Sequence, residues 1–330
     1  MRWLKVTASL LMLMLMSFLT TISPLLSQSS LSHNLSRETA EEIHNQATQT
    51  PPIQLAQNSG GGRIRVVYHE GTDERSRRLV NGFRENGAFD KFAESISNTF
   101  NLPTDKNLTI TFQNCGQANA FYNPTSREIV MCSELWWDSD YLFRAYNFAA
   151  ELPQELAIIT EPNTGYVFLF VLLHEFGHAL IDILDIPVVG REEDAVDQFS
   201  TMFLLVGNSS SEARKKIILS TITWFVLSAK RKEDEGRQPA YWGQHPLEQQ
   251  RMYNIACLWY GNNPEELEYT GVTNLLRGQA PQCPQRYQRL VADWNQLLKS
   301  HLRNRNSSNN SSPNSNSGQN TNPSEPNRIW

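Results

Sequence analysis

The sequence predicts an α+β chain: a small, mainly antiparallel sheet on the N-terminal side, laid over a helical body. Three observations carry that prediction. Short β-like runs are confined to the stretch before Cys132. From Cys132 onward, apolar residues recur at helical spacing. Strands first and helices afterwards is the order of an α+β layout rather than of an alternating α/β one.

The elements follow in order. Arg63–Tyr68, RIRVVY, reads as a first strand. From Ser76 to about Asn101 the apolar residues Leu79, Phe83, Phe89, Phe92, Ile96 and Phe100 fall at helical spacing, with Gly82 and Gly87 as places where the helix can split. Leu108–Phe112 alternates like a strand. Ala118–Tyr122 and Glu128–Cys132 flank Asn123-Pro124-Thr125-Ser126, a Pro-containing turn between two apolar runs, which makes a hairpin. Helices are expected over about 133–150, 165–184, 191–206, 212–230, 246–260 and 284–301.

The ends differ in kind from this domain. Arg2 and Lys5 precede the apolar run Leu10–Leu19, the pattern of a secretory signal peptide over 1–27. That run is short for a stable membrane span, so no span is expected once the leader is cleaved. Residues 28–62 are rich in Ser, Gln, Thr and Asn and close on Gly60-Gly61-Gly62, a flexible-linker composition. Residues 303–330, dominated by Asn, Ser and Pro, cannot bury enough surface to offset their ordering entropy. The folded domain is therefore expected over 63–302. Export is expected, to the periplasm or the medium, with a membrane tether if the leader is retained. The net charge is −5 and no basic cluster is interleaved with aromatics, which argues against a nucleic-acid partner. Four cysteines, Cys115, Cys132, Cys257 and Cys283, suit two disulfides behind an export signal. Of the three pairings, Cys115–Cys132 and Cys257–Cys283 are favoured, because each pair flanks one local unit.

The chemistry lies in Val171–Leu180, VLLHEFGHAL, where two histidines and a carboxylate interrupt an apolar run. Isolated charge in such a setting is costly unless it is paired or holds a metal. In a helix His174 and His178, four apart, point two imidazoles at one ion, while Glu175 lies one step round, within reach of an attacking water. Neutral imidazole suits zinc, and three protein ligands leave a fourth position for water. Pro187 and Gly190 then break the chain, and an acidic helix start, Arg191-Glu192-Glu193-Asp194, follows. Glu193 and Asp197 share a face of that second helix. Glu193 is assigned as the third ligand of one zinc ion, and Asp197 as the carboxylate that receives a ring N–H from a ligating histidine. Glu192 is the alternative ligand. It lies about 100° round the helix, so both glutamates cannot face the metal. Glu175 is the expected general base.

HEFGH followed by REEDAVDQF resembles the gluzincin class of zinc metallopeptidases, which combine HExxH with a glutamate from a following helix. More closely, the chain resembles a bacterial family of exported metallopeptidases catalogued as a domain of unknown function. Asn114–Tyr122, Ile129–Leu135 around Cys132, and His245–Cys257 carry that resemblance alongside the zinc motif, over most of 63–300. It implies a zincin-like fold and a peptide or protein substrate. The family's activity is itself inferred from the motif. A later histidine often steadies the oxyanion in gluzincins, and His245 is the candidate here. It precedes Pro246 and is expected at a helix N-cap. Arg251 and Tyr253 are weaker candidates, and Arg251 is expected instead to pair with an acidic residue. The hairpin strand Asn119–Tyr122 is a candidate edge for an extended substrate. Two other readings stand beside the peptidase. One is a structural zinc site on an envelope protein, closed by His245 or Asp194. The other is a metal-dependent amidase acting on a non-peptide bond.

Overall fold

The structure is a computed structural model that describes residues 62–146, 163–206, 211–267 and 275–303. The leader expected at 1–27, the linker apart from Gly62, and the tail apart from Arg303 lie outside the described residues, as do 147–150 of the helix expected over 133–150.

The chain is α+β, but its four-stranded sheet is mostly parallel rather than mainly antiparallel. Strand β1 (Ile64–Tyr68) pairs parallel with β2 (Leu108–Gln113), and β2 pairs parallel with β4 (Glu128–Cys132). Only β3 (Ala120–Asn123) runs antiparallel, against β4, giving the order β1-β2-β4-β3. The reason lies in the link between β1 and β2. It holds two helices, α1 (Glu74–Asn86) and α2 (Ala88–Thr99), and a helical crossover is what returns a chain to run parallel to its predecessor. The expected helix over 76–101 was thus the signal for parallel pairing. It splits at Gly87, whose φ of 64° is left-handed, while Gly82 passes through α1 unbroken. Asp73 caps α1 by accepting the Ser76 N–H at 3.0 Å.

Cys115 and Cys132 form a disulfide at the base of the β3–β4 hairpin. Helix α3 (Ser133–Ala145) starts beside it, and its Glu134 carboxylate accepts the N–H groups of Cys115 and Gly116 at 3.0 and 2.9 Å. These bonds hold that carboxyl below its ordinary value even though burial alone would raise it.

Helix α4 (Thr164–Ile183) carries the HEFGH stretch. Its N-terminus is capped by Asn163, which accepts the Gly165 N–H at 2.8 Å. It ends where Asp185 turns left-handed at φ 51° and Ile186 N–H reaches back to Ile181 O, just before Pro187. Among the described residues it is the one helix long and apolar enough to cross a membrane, yet 83% of that window is buried inside the protein. It is the central core helix. Phe176 illustrates the packing: fully buried, it meets Phe92, Phe100 and Phe199, burial of a kind that contributes about 1.5–3 kcal/mol.

Helix α5 (Glu192–Val206) packs across α4. The crossing is close at Gly177, where an added Cβ would stand 2.9 Å from the Val196 side chain. Helix α6 (Ser211–Asp234) packs on α4, and α7 (Glu248–Asn262) packs on α5 and α6. The short α8 (Pro264–Leu267) follows, and α9 (Cys283–Leu298) is joined to α7 by the second disulfide, Cys257–Cys283. Strands β3 and β4 rest on α4, so β3, one of the two edge strands of the sheet, runs beside the HEFGH helix.

Candidate metal centre

The two histidines of α4 stand one turn apart, with ring centroids 5.0 Å from each other. The start of α5 meets them because Gly177 lets the helices approach. Glu193 Oε2 lies 3.1 Å from His174 Nε2, and Glu193 Oε1 lies 3.7 Å from His178 Nε2. One carboxylate therefore spans both imidazoles. His245, on the connector between α6 and α7, brings its Nε2 to 3.2 Å from the same Oε2. Donor atoms of His174, Glu193 and His245 all lie within 4.8 Å of one another and could hold a metal ion.

The remaining ring nitrogens are held from behind. His174 Nδ1 is 2.8 Å from Asp197 Oδ1, and His178 Nδ1 is 2.6 Å from Glu192 Oε1. Each carboxylate fixes a tautomer that leaves Nε2 as the free donor atom. Glu192 thus occupies the back of His178 while Glu193 faces its front. Asp197 is in turn clamped by Arg251, whose Nε and Nη2 donate to Oδ2 and Oδ1, both at 2.7 Å. The guanidinium also lies over the Phe225 ring, 4.5 Å from its centroid.

The electrostatics follow from these contacts. Burial would push the His174 imidazole down, but hydrogen bonds to Asp197 and Glu193 outweigh it and lift the ring to about 9. His178 is likewise raised by Glu193 and Glu192 against the effect of burial. Burial would raise Glu193 and Asp197. Contacts with His174 and His178 hold Glu193 well below the ordinary carboxylate range, and Arg251 with His174 holds Asp197 at about 2. Glu175 goes the other way: burial raises it, only partly offset by the neighbouring histidines. The Tyr122 backbone on β3 favours its charged form to a smaller extent. The Tyr122 hydroxyl donates to Asp182, which stands one further turn along α4 from His178. Edge strand and HEFGH helix are thereby tied through a side chain.

Most of the other sequence candidates take different positions from those expected. Helix α7 begins at Glu248 with Leu247 as its extended N-cap, so His245 is on the connector and not at the cap. Pro246 is followed by one more extended residue, and helical geometry starts only after it. Arg251 stands behind His174, and the Tyr253 hydroxyl donates to Leu276 O at 2.6 Å. Asp194 lines a cavity of about 510 Å³ with Arg191, Pro246, Gln249 and Tyr253. Two partnerships escaped the sequence reading, Glu192 with His178 and Tyr122 with Asp182, while the acidic partner expected for Arg251 is Asp197. Asp182 had a signal, because 174, 178 and 182 form one ladder of residues four apart.

The donor set, imidazole nitrogens with a carboxylate, is one that suits a transition-metal ion such as zinc. His174, His245 and His178 approach the Glu193 carboxylate at 3.1, 3.2 and 3.7 Å, close enough for these side chains to share one ion.

An HExxH helix whose imidazoles meet a glutamate of the next helix, beside a sheet edge, has the layout of a metal-dependent peptidase. A family model described as "Putative metallopeptidase" matches residues 68–298, and the chain belongs to that family. No curated protein and no solved structure matches it.

Proposed function

We propose that the protein is a zinc-dependent peptidase in which His174, His178 and Glu193 hold one ion and Glu175 is the general base. The observation that carries this reading is the Glu193 carboxylate set between the two HExxH imidazoles, with Glu175 buried beside them. Bound zinc supplies a Lewis acid that polarises the scissile carbonyl and makes water acidic enough to attack at neutral pH. The chain's own residues do the rest. Asp197 and Glu192 orient the imidazoles. Glu175, raised by burial, accepts a proton from the attacking water at its carboxylate and delivers it to the leaving amine as the C–N bond breaks. Two disulfides support an exported protein, since such bonds persist in oxidising compartments.

A second reading, a closed structural zinc site, is favoured by one observation, the approach of His245 to Glu193. The two separate in one experiment. Zinc content and cleavage of a broad peptide library are measured for the full chain and for Glu175→Gln. A peptidase gives one zinc in both proteins and cleavage only in the parent. One zinc with no cleavage in either moves the conclusion to a structural site or a non-peptide bond. No zinc in either refutes both readings.

A further inference from the structure

The connector between α6 and α7 brings a fourth donor to a site that α4 and α5 already furnish. His245 Nε2 approaches the Glu193 oxygen that His174 Nε2 also approaches, at 3.2 and 3.1 Å. The rings of His174 and His245 face each other, with centroids 6.0 Å apart and planes 29° apart. Donor atoms of His174, Glu193 and His245 lie within 4.8 Å of one another, and His178 Nε2 stands 3.7 Å from the other Glu193 oxygen; an ion that took all four would have no position left for water.

His245 nevertheless differs from the other three donors. Its side chain is 53% exposed, against 4% for His174 and 18% for Glu193. The other two histidines are set in a core helix with their second ring nitrogens fixed by carboxylates. Among the described residues no hydrogen bond reaches His245 Nδ1. Its connector is bonded largely to itself, Tyr241 N–H to Pro239 O and Gly243 N–H to Ala240 O. Arg191, just ahead of α5, links it to the body by donating to Gly243 O at 3.3 Å. Tyr241 and Trp242 on the same connector stand 71% and 84% exposed.

We infer that His245 is a removable fourth ligand: it closes the metal site in the resting protein, and its connector swings out to admit substrate and water. This rests on the zinc-peptidase reading and adds a latch to it. The latch also accounts for how a site with four protein donors can still be catalytic. An oxyanion donor, by contrast, would approach the substrate carbonyl without touching the ion.

The test compares the full chain with His245→Ala and His245→Gln. Gln keeps a hydrogen-bonding group near Glu193 but is a poor zinc ligand. Zinc affinity is read by competition with a chromogenic chelator. The cobalt-loaded proteins are read by visible absorption and by titration with acetohydroxamate, a small chelator that needs an open position. The latch predicts that both variants lose at least the ten- to hundredfold in affinity that removal of an outer-shell partner already costs. It also predicts a shifted cobalt spectrum and tighter acetohydroxamate binding in both. Melting of the metal-free proteins checks that the variants fold. Zinc affinity and spectrum unchanged in both variants, with turnover down by about 10²–10³, would make His245 an oxyanion donor and overturn the latch alone. Retained affinity in Gln but not in Ala would make it a hydrogen-bond partner of Glu193, which also overturns it. Absence of zinc from wild type and variants alike would remove the peptidase reading as well.

Discussion

Replacing Arg251 by Met keeps the aliphatic stem and removes the guanidinium behind the metal centre. The loss is calculable from contacts. Two 2.7 Å hydrogen bonds to Asp197 disappear, along with the stacking on Phe225. Asp197, with 8% of its side chain exposed, is left as a buried carboxylate without its cation. Breaking a buried pair on one side costs about 3–5 kcal/mol. Urea unfolding of metal-stripped protein should show a loss of that order at neutral pH. Asp197 is held at about 2, against roughly 3.9 for a free aspartate. Its contribution is therefore whole above about pH 4 and fades as the pH falls through 2, and the gap between variant and wild type should narrow over the same interval. Adding Asp197→Leu should recover much of the stability, because an apolar pair of similar size often replaces a buried ion pair without loss. It should lower zinc affinity by about ten- to hundredfold, since His174 Nδ1 would then lose the carboxylate that Arg251→Met alone leaves in place. A single variant within about 0.5 kcal/mol of wild type would refute the argument that this pair is buried and stabilising.

Two further outcomes are expected. Gly177→Ala should destabilise by about 1–3 kcal/mol despite the better helix propensity of alanine, because its Cβ would press on Val196 at 2.9 Å and force α4 and α5 apart. Zinc affinity measured by chelator competition should fall with it, and a variant as stable as its parent would show that the helices can part freely. Cys115→Ser with Cys132→Ser opens a loop with a sequence separation of 17 and should cost about 3 kcal/mol in thermal or urea unfolding. A change below about 1 kcal/mol would mean that the Glu134 bonds to Cys115 and Gly116 hold the hairpin base without the disulfide.

What could be read from the chain is what local spacing encodes. His174 with His178, and Glu193 with Asp197, share helix faces because each pair lies four residues apart. The hairpin around Pro124 and the disulfide at its base follow from two short apolar runs and a turn. Spacing says which face a side chain occupies but not which other element meets that face. Arg251 reaches Asp197 across 54 residues, and Tyr122 reaches Asp182 across 60, through packing that no local period records. The sheet shows the same limit. Each strand was visible, yet the pairing of β1 with β2 was set by the helices between them. The approach of His245 to Glu193 is likewise tertiary, because Pro246 fixed a helix start in the reading while the chain stays extended through Leu247.

The second disulfide gives the C-terminal helix a mechanical part in the site. Cys257 lies six residues beyond Arg251 on α7, and on the following turn Gly261 lets the backbone of Cys283 come so close that an added Cβ would stand 2.3 Å from its carbonyl oxygen. Helix α7 is thus a lever arm clamped at one end to α9 and bearing on His174 at the other, through Arg251 and Asp197. A reductant acting on a bond far from any metal donor would loosen the clamp, and the imidazole of His174 would register the slack.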